Sequence, residues 1–174
     1  MQNIVPIVSE QPIPLGHWLK HQGPLTDKLQ ASVGSTTLKV LSQQWQSTSY
    51  WDKQVLSLKD QLVFQREILM TSQDKTYWYA KTIIPQSCYQ LDTAFFQRLE
   101  RESIRTLIFD TKEVHKANRI IYPIDDTCLE FYWLKHYLPE SSGVFWVRFS
   151  ELVFLNTSSF YLVEILLPEL ERLG

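Results

Sequence analysis

Glycine is scarce in this chain, five in 174 residues. None falls in a phosphate-cradling loop, a dinucleotide-binding G-x-G-x-x-G turn or a G-x-S-x-G nucleophile elbow. Cysteine is scarcer still. Cys88 and Cys128 are too few for a disulfide framework and form no C-x-x-C pair. They read as two thiols in a reducing compartment. No apolar run approaches the roughly 20 residues that span a bilayer, and Met1 to Gly16 has no cationic start followed by an apolar core. The expectation is therefore a cytoplasmic protein with no secretory leader and no membrane span. A surplus of charge is missing too. The 17 Lys and Arg nearly balance 19 Asp and Glu, with a formal charge of -2 and a pI near 6.1. That argues against a nucleic-acid partner, which calls for a basic face. It leaves open a small anion, for which one or two local cations suffice. Metal-binding patterns are also lacking. His17 and His21 share a helical spacing, but no third ligand and no H-E-x-x-H accompany them. His115 and His136 are isolated, and Asp125-Asp126 reads as a solvated turn. Repeats, low-complexity tracts and long charge runs are absent.

What is present is material for a core: 44% of residues are hydrophobic and 13% aromatic. The length favours one domain over residues 1–174, with Pro6, Pro12 and Pro14 making 1–14 an extended lead-in. Gly16 to Lys20 suits a short helix. Pro24 then opens a helix through Ala31 that Gly34 ends. Alternating or apolar runs predict strands at Thr36–Trp45, Leu62–Met70, Thr76–Ile84, Asn118–Tyr122, Val144–Leu155 and Phe160–Leu167. Polar turns at Ser72–Lys75 and Asn156–Ser159 make hairpins of the second and third strands and of the last two. Residues 46–60 read as a loop anchored by Trp51 and Leu56. Leu91–Arg105 has helical spacing, and the aromatic-rich Leu129–Tyr137 suits a helix. The sum is α+β: one antiparallel sheet of about six strands, with helices on one face.

Two charges stand inside these apolar strands. Arg66 sits in Leu62–Met70 and Glu164 in Phe160–Pro168. An ionised group there is costly to bury unless it is paired or binds something. Two readings follow: a cross-strand ion pair, or a closed site for a small, polar, anionic molecule. Glu67 adjoins Arg66, and strand neighbours point to opposite faces, so Glu67 points away if Arg66 points in.

Several short motifs carry a resemblance. Arg66-Glu67-Ile68-Leu69 followed by Trp78-Tyr79-Ala80-Lys81-Thr82-Ile83-Ile84-Pro85 resembles the R-E-I-L-L and W-x-A-R-T-V-x-P strands of the chorismate lyase (chorismate–pyruvate lyase) family. Val163-Glu164-Ile165-Leu166-Leu167-Pro168 resembles its closing T-E-x-F-L-P. Arg148-Phe149-Ser150 stands where the family often has R-R-S. Trp18-Leu19 before Leu25-Thr26 is similar to its first helical segment. The likeness runs from about residue 17 to 168. It implies a small monomer with a six-stranded antiparallel sheet and a ligand enclosed under two helical flaps. The implied reaction converts chorismate to 4-hydroxybenzoate and pyruvate, an early step of ubiquinone biosynthesis, without metal or organic cofactor.

The resemblance also implies roles. Arg66 would hold the ring carboxylate through a bidentate guanidinium. Glu164 would accept a hydrogen bond from the ring hydroxyl and handle a proton. Leu25 and Ile104 would contact the ligand near the flaps. Lys81, where the family commonly has Arg, would meet the second carboxylate as a third catalytic residue, with Arg148 a further candidate. Three departures stand out: Lys81, Arg105 in place of a glycine beside the apolar contact, and a long 125–145 segment able to cover the site. The rival reading is a non-catalytic binder of a small carboxylate, since the same fold serves as the effector-sensing domain of bacterial transcription regulators. A third reading is a related lyase or hydrolase that gives another product from chorismate.

Overall fold

The computed structural model describes residues 13–174; the greater part of the expected lead-in, residues 1–12, lies outside them. Strands β1 (Thr37–Ser47), β2 (Leu62–Ser72), β3 (Lys75–Pro85), β4 (Val114–Ile124), β5 (Phe145–Phe154) and β6 (Ser158–Leu166) form one antiparallel sheet in the order β1-β2-β3-β6-β5-β4. The chain thus makes two three-stranded meanders joined where β3 pairs with β6. This central position explains why β2, β3 and β6 read as nearly unbroken apolar runs: side chains on both faces are buried. The β2–β3 turn places Gln73 and Asp74 at φ 50° and 65°. Two successive left-handed residues match the twist of a two-residue hairpin.

Helices cover the front face. They are α1 (Gly16–Leu19) and α2 (Leu25–Val33), then α4 (Gln86–Tyr89), α5 (Thr93–Gln97) and α6 (Ile104–Phe109). Trp18, Leu29, Phe96 and Leu107 from these segments meet Phe64, Ile68, Trp78, Leu152 and Phe160 of the sheet in one core. Two further helices, α3 (Tyr50–Val55) and α7 (Leu129–Tyr137), pack on the back face. There Trp51, Phe131 and Leu134 meet Leu69, Tyr79, Val147 and Ile165. The sequence reading placed helices on one face; the structure adds this second layer. The long 125–145 segment belongs to it, so it covers the back of the sheet and not the front site. α3 falls where a loop was expected. Ser49 accepts from the Asp52 backbone N–H while the Asp52 carboxylate accepts from that of Ser49. This reciprocal cap starts a helix in a polar stretch. The single helix expected over 91–105 is instead α5, a 3₁₀ turn at Arg98–Glu100 and α6, with Asp92 and Ser103 each capping a new start.

Candidate functional site

Strand alternation sorts the charged residues between the faces. On the front, Arg66 shares β2 with Phe64, Ile68 and Met70, and Glu164 shares β6 with Phe160, Leu162 and Leu166. Arg66 stands opposite Thr82 of β3, and Glu164 opposite Ala80 of β3 and Arg148 of β5. Two strand spacings across and two residues along put their Cα atoms about 12 Å apart. The two do not pair with each other. Glu164 Oε1 accepts from Arg148 Nε at 2.8 Å, and Arg66 Nε donates to Gln43 Oε1 at 3.1 Å. Arg66 is 4% exposed, and among the described residues it contacts no carboxylate. Burial lowers its pKa from the ordinary arginine value.

A cavity lies on this face between α2, α6 and the sheet. Leu25, Ile104, Ile108, Trp78, Arg148 and Glu164 are among the residues that line it. Leu25 lines it from α2 and Ile104 from α6. Arg66 is not itself in the lining; it is the neighbouring same-face residue of Ile68 along β2, and Ile68 is in the lining. The cavity is small, about 50 Å³, whereas ligand sites run to about 300–1,000 Å³. Entry of a ring therefore requires α2 and α6 to part. What holds them is visible: Arg105 of α6 clasps Asp27 of α2 with Nε to Oδ1 at 2.7 Å and Nη2 to Oδ2 at 2.8 Å, and also reaches Asp110 at 3.1 Å. The side-chain bond to Asp27 raises the Arg105 pKa and lowers that of Asp27.

Lys81 is a correction. It is an odd-numbered neighbour of Tyr79 and Ile83, whose side chains fill the back core, and it points away from the cavity. Its ammonium lies 3.4 Å from Glu67 Oε1 and 3.6 Å from the centre of the Trp133 ring. Glu67 also accepts from Tyr79, Gln65 and Tyr137. Burial lowers the Lys81 pKa, which the Glu67 charge partly restores. Lys81 therefore cannot meet a carboxylate held between Arg66 and Glu164. A motif does not fix a strand residue's face; parity along β3, Lys81 against Ala80 and Thr82, does.

Two cations the sequence reading did not single out stand on the front face with Arg148. Arg119 of β4 donates to Ser150 Oγ at 3.3 Å and to the His21 carbonyl at 2.7 Å, and Arg148 Nη1 reaches the same carbonyl at 3.1 Å. Lys116 donates to the Gln22 carbonyl at 2.7 Å and lies over the Phe109 ring at 4.6 Å. The signal was present in Lys116-Ala117-Asn118-Arg119-Ile120-Ile121, but a bulge between Lys116 and Asn118 breaks the alternation. Among the described residues, no group of three His, Cys, Asp or Glu is placed to hold a metal ion. No helix there is long and apolar enough to cross a membrane.

The sequence profile described as chorismate lyase matches residues 7–168. A curated relative from Idiomarina loihiensis, named "Probable chorismate pyruvate-lyase", is 29% identical over 98 residues. That match takes in 56% of this chain and 50% of the relative, so the chain spans about half the length of the curated relative it matches. Solved structures share the fold. The C-terminal domain of a histidine utilization repressor from Pseudomonas syringae pv. tomato superposes with TM-score 0.58 at 11% identity, covering 78% of this chain and 93% of that one. A GntR-family transcriptional regulator from Bacillus cereus gives 0.56 at 12% identity, covering 77% and 92%. The effector domain of PhnF from Mycobacterium smegmatis gives 0.55 at 12% identity, covering 84% and 90%.

Proposed function

The chain belongs to the chorismate lyase family, and from that premise we propose that it converts chorismate to 4-hydroxybenzoate and pyruvate as a single cytoplasmic, monomeric domain over residues 1–174. The carrying observation is Arg66: a buried guanidinium with no carboxylate partner among the described residues, on the same sheet face as Glu164. A buried cation left uncompensated by the protein calls for an anion from outside. The ring carboxylate of the substrate supplies one, and bidentate pairing fixes the ring's direction.

Glu164, at the other end, accepts the hydrogen bond of the ring hydroxyl. The ring carbon–oxygen bond of the enolpyruvyl ether breaks, and its electron pair leaves on the enolpyruvate oxygen. The hydrogen on the adjacent hydroxyl-bearing carbon departs as a proton, and the ring becomes aromatic. Enolpyruvate gains a proton at its methylene carbon and becomes pyruvate. Aromatisation drives the step, so the site's task is orientation and stabilisation of the shifting charge. Leu25 and Ile104 close apolar contacts over the ring and keep water out. The product is an aromatic acid of the kind that begins ubiquinone biosynthesis.

A second reading is favoured by a different observation. The superposed structures include a GntR-family transcriptional regulator and the effector domain of PhnF, and the cavity is only about 50 Å³. On that reading the same Arg66 and Glu164 bind a small carboxylate without turnover. Incubation of the purified protein with chorismate separates the two. Equimolar 4-hydroxybenzoate and pyruvate support the lyase, and binding without products supports the sensor.

A further inference from the structure

We propose that Arg119 and Arg148, assisted by Lys116, form a second anion subsite that receives the enolpyruvyl carboxylate of the substrate. The inference rests on the chorismate reading given above. Its starting point is an imbalance of charge. Arg148, Arg119 and Lys116 come together from β5 and β4, and Glu164 is the carboxylate among them. Arg148 and Arg119 donate to one His21 carbonyl, at 3.1 and 2.7 Å. Their guanidinium nitrogens are thus held within the sum of those distances of each other. A neutral carbonyl oxygen accepts the hydrogen bonds but does not cancel the charge. Like charges so close and partly buried repel, and the repulsion appears at Arg119 and Lys116. Arg119 and Lys116 are lowered first by burial and then by the other cations. An anion at this place relieves the strain.

The chemistry of the substrate puts its second carboxylate there. The enolpyruvyl ether is on the ring carbon next to the one bearing the hydroxyl. With the ring carboxylate on Arg66 and the hydroxyl on Glu164, the ether must lie at the Glu164 end. Arg148 lines the cavity and already touches Glu164, and Phe109, which lines the cavity, carries Lys116 over its ring. Lys81 is excluded, because the sheet lies between it and this end. 4-Hydroxybenzoate has no carboxylate at that position, so the subsite distinguishes substrate from product. It strengthens capture of chorismate and adds nothing to retention of the aromatic acid.

The test compares two ligands in wild type, Arg119→Gln and Arg119→Lys. KM for chorismate and Kd for 4-hydroxybenzoate are measured for each. The expected result is a KM raised ~10- to 100-fold in Arg119→Gln, as for loss of a hydrogen bond to a charged group. Kd for 4-hydroxybenzoate stays within about twofold, and Arg119→Lys recovers part of the loss. Equal weakening of both ligands, or of neither, overturns the subsite. If Arg119→Gln does not fold, Lys116→Met is read in the same way. If the wild type produces no pyruvate, the catalytic reading fails on its own, and chorismate Kd replaces KM in the same comparison.

Discussion

Lys116 shows how one residue ties the electrostatics of the site to a measurable pH dependence. Burial and the charges of Arg119 on its own strand and Arg148 on β5 push its ammonium down to about 8, against a smaller opposing pull from Glu164 on β6. His21, in the turn after α1, faces the same group and is itself lowered by burial and by Lys28, Arg148, Lys116 and Arg119. Lys116 is therefore charged below pH 8 in the free protein and neutral above it. Because kcat/KM follows the free enzyme, chorismate kcat/KM should fall as pH rises through about 8, while 4-hydroxybenzoate affinity stays level. In Lys116→Met the step at pH 8 should vanish; a step that persists assigns it to another group. For folding the sign is opposite. A base with a depressed pKa binds fewer protons folded than unfolded between about 8 and 10.5, so its contribution to stability rises with pH across that window.

Elements divide the polar residues into two populations with different duties. On the back of the sheet, β2, β3 and α7 enclose Glu67, Lys81, Tyr79, Tyr137 and Trp133. Every one of these polar groups is answered by another, so the arrangement is a structural network. Removing one partner of a buried pair leaves the other charge stranded, so Lys81→Met should cost about 3 kcal/mol of unfolding free energy. The 4-hydroxybenzoate Kd should be unchanged. Denaturant unfolding and a ligand titration check both, and a weakened Kd without loss of stability would return Lys81 to the ligand. On the front, α2 and α6 are held by Arg105 and Asp27. An exposed ion pair contributes about 0.2–1 kcal/mol, so the clasp slows opening modestly. Arg105→Gln should speed 4-hydroxybenzoate release up to about fivefold in stopped-flow displacement, with the melting temperature nearly unmoved. An unchanged release rate would detach the clasp from gating. These elements also show what the sequence made legible. Six strands and both hairpins were readable, because alternation and turn residues are local. Arg66 and Glu164 were readable because a charge in an apolar run has few explanations. The helix at α3 was obscured by a polar composition that only its cap overrides. The bulge in β4 hid Arg119, and the face of Lys81 depended on counting parity from Ala80 and Thr82.

For the whole molecule, the arrangement is one sheet used on both sides. The back is a closed polar and aromatic layer that stiffens β2 and β3. On the front, Glu164 and Arg148 line a cavity, and Arg66 stands on the same face one same-face step along β2 from the lining residue Ile68. The cavity is roofed by two short helices that must separate to admit a ring. A sheet buried on both faces resists relative movement of Arg66 and Glu164, while α2 and α6 are joined at the surface by the Arg105–Asp27 pair. The fold is shared with solved transcriptional regulators and with the effector domain of PhnF, so architecture alone does not decide the activity. The deciding measurement is direct. Purified full chain is incubated with chorismate, and 4-hydroxybenzoate and pyruvate are quantified over time, with Arg66→Gln in parallel. The account predicts equimolar release of both products by the wild type and little of either by Arg66→Gln. Tight chorismate binding by the wild type with neither product formed would contradict it.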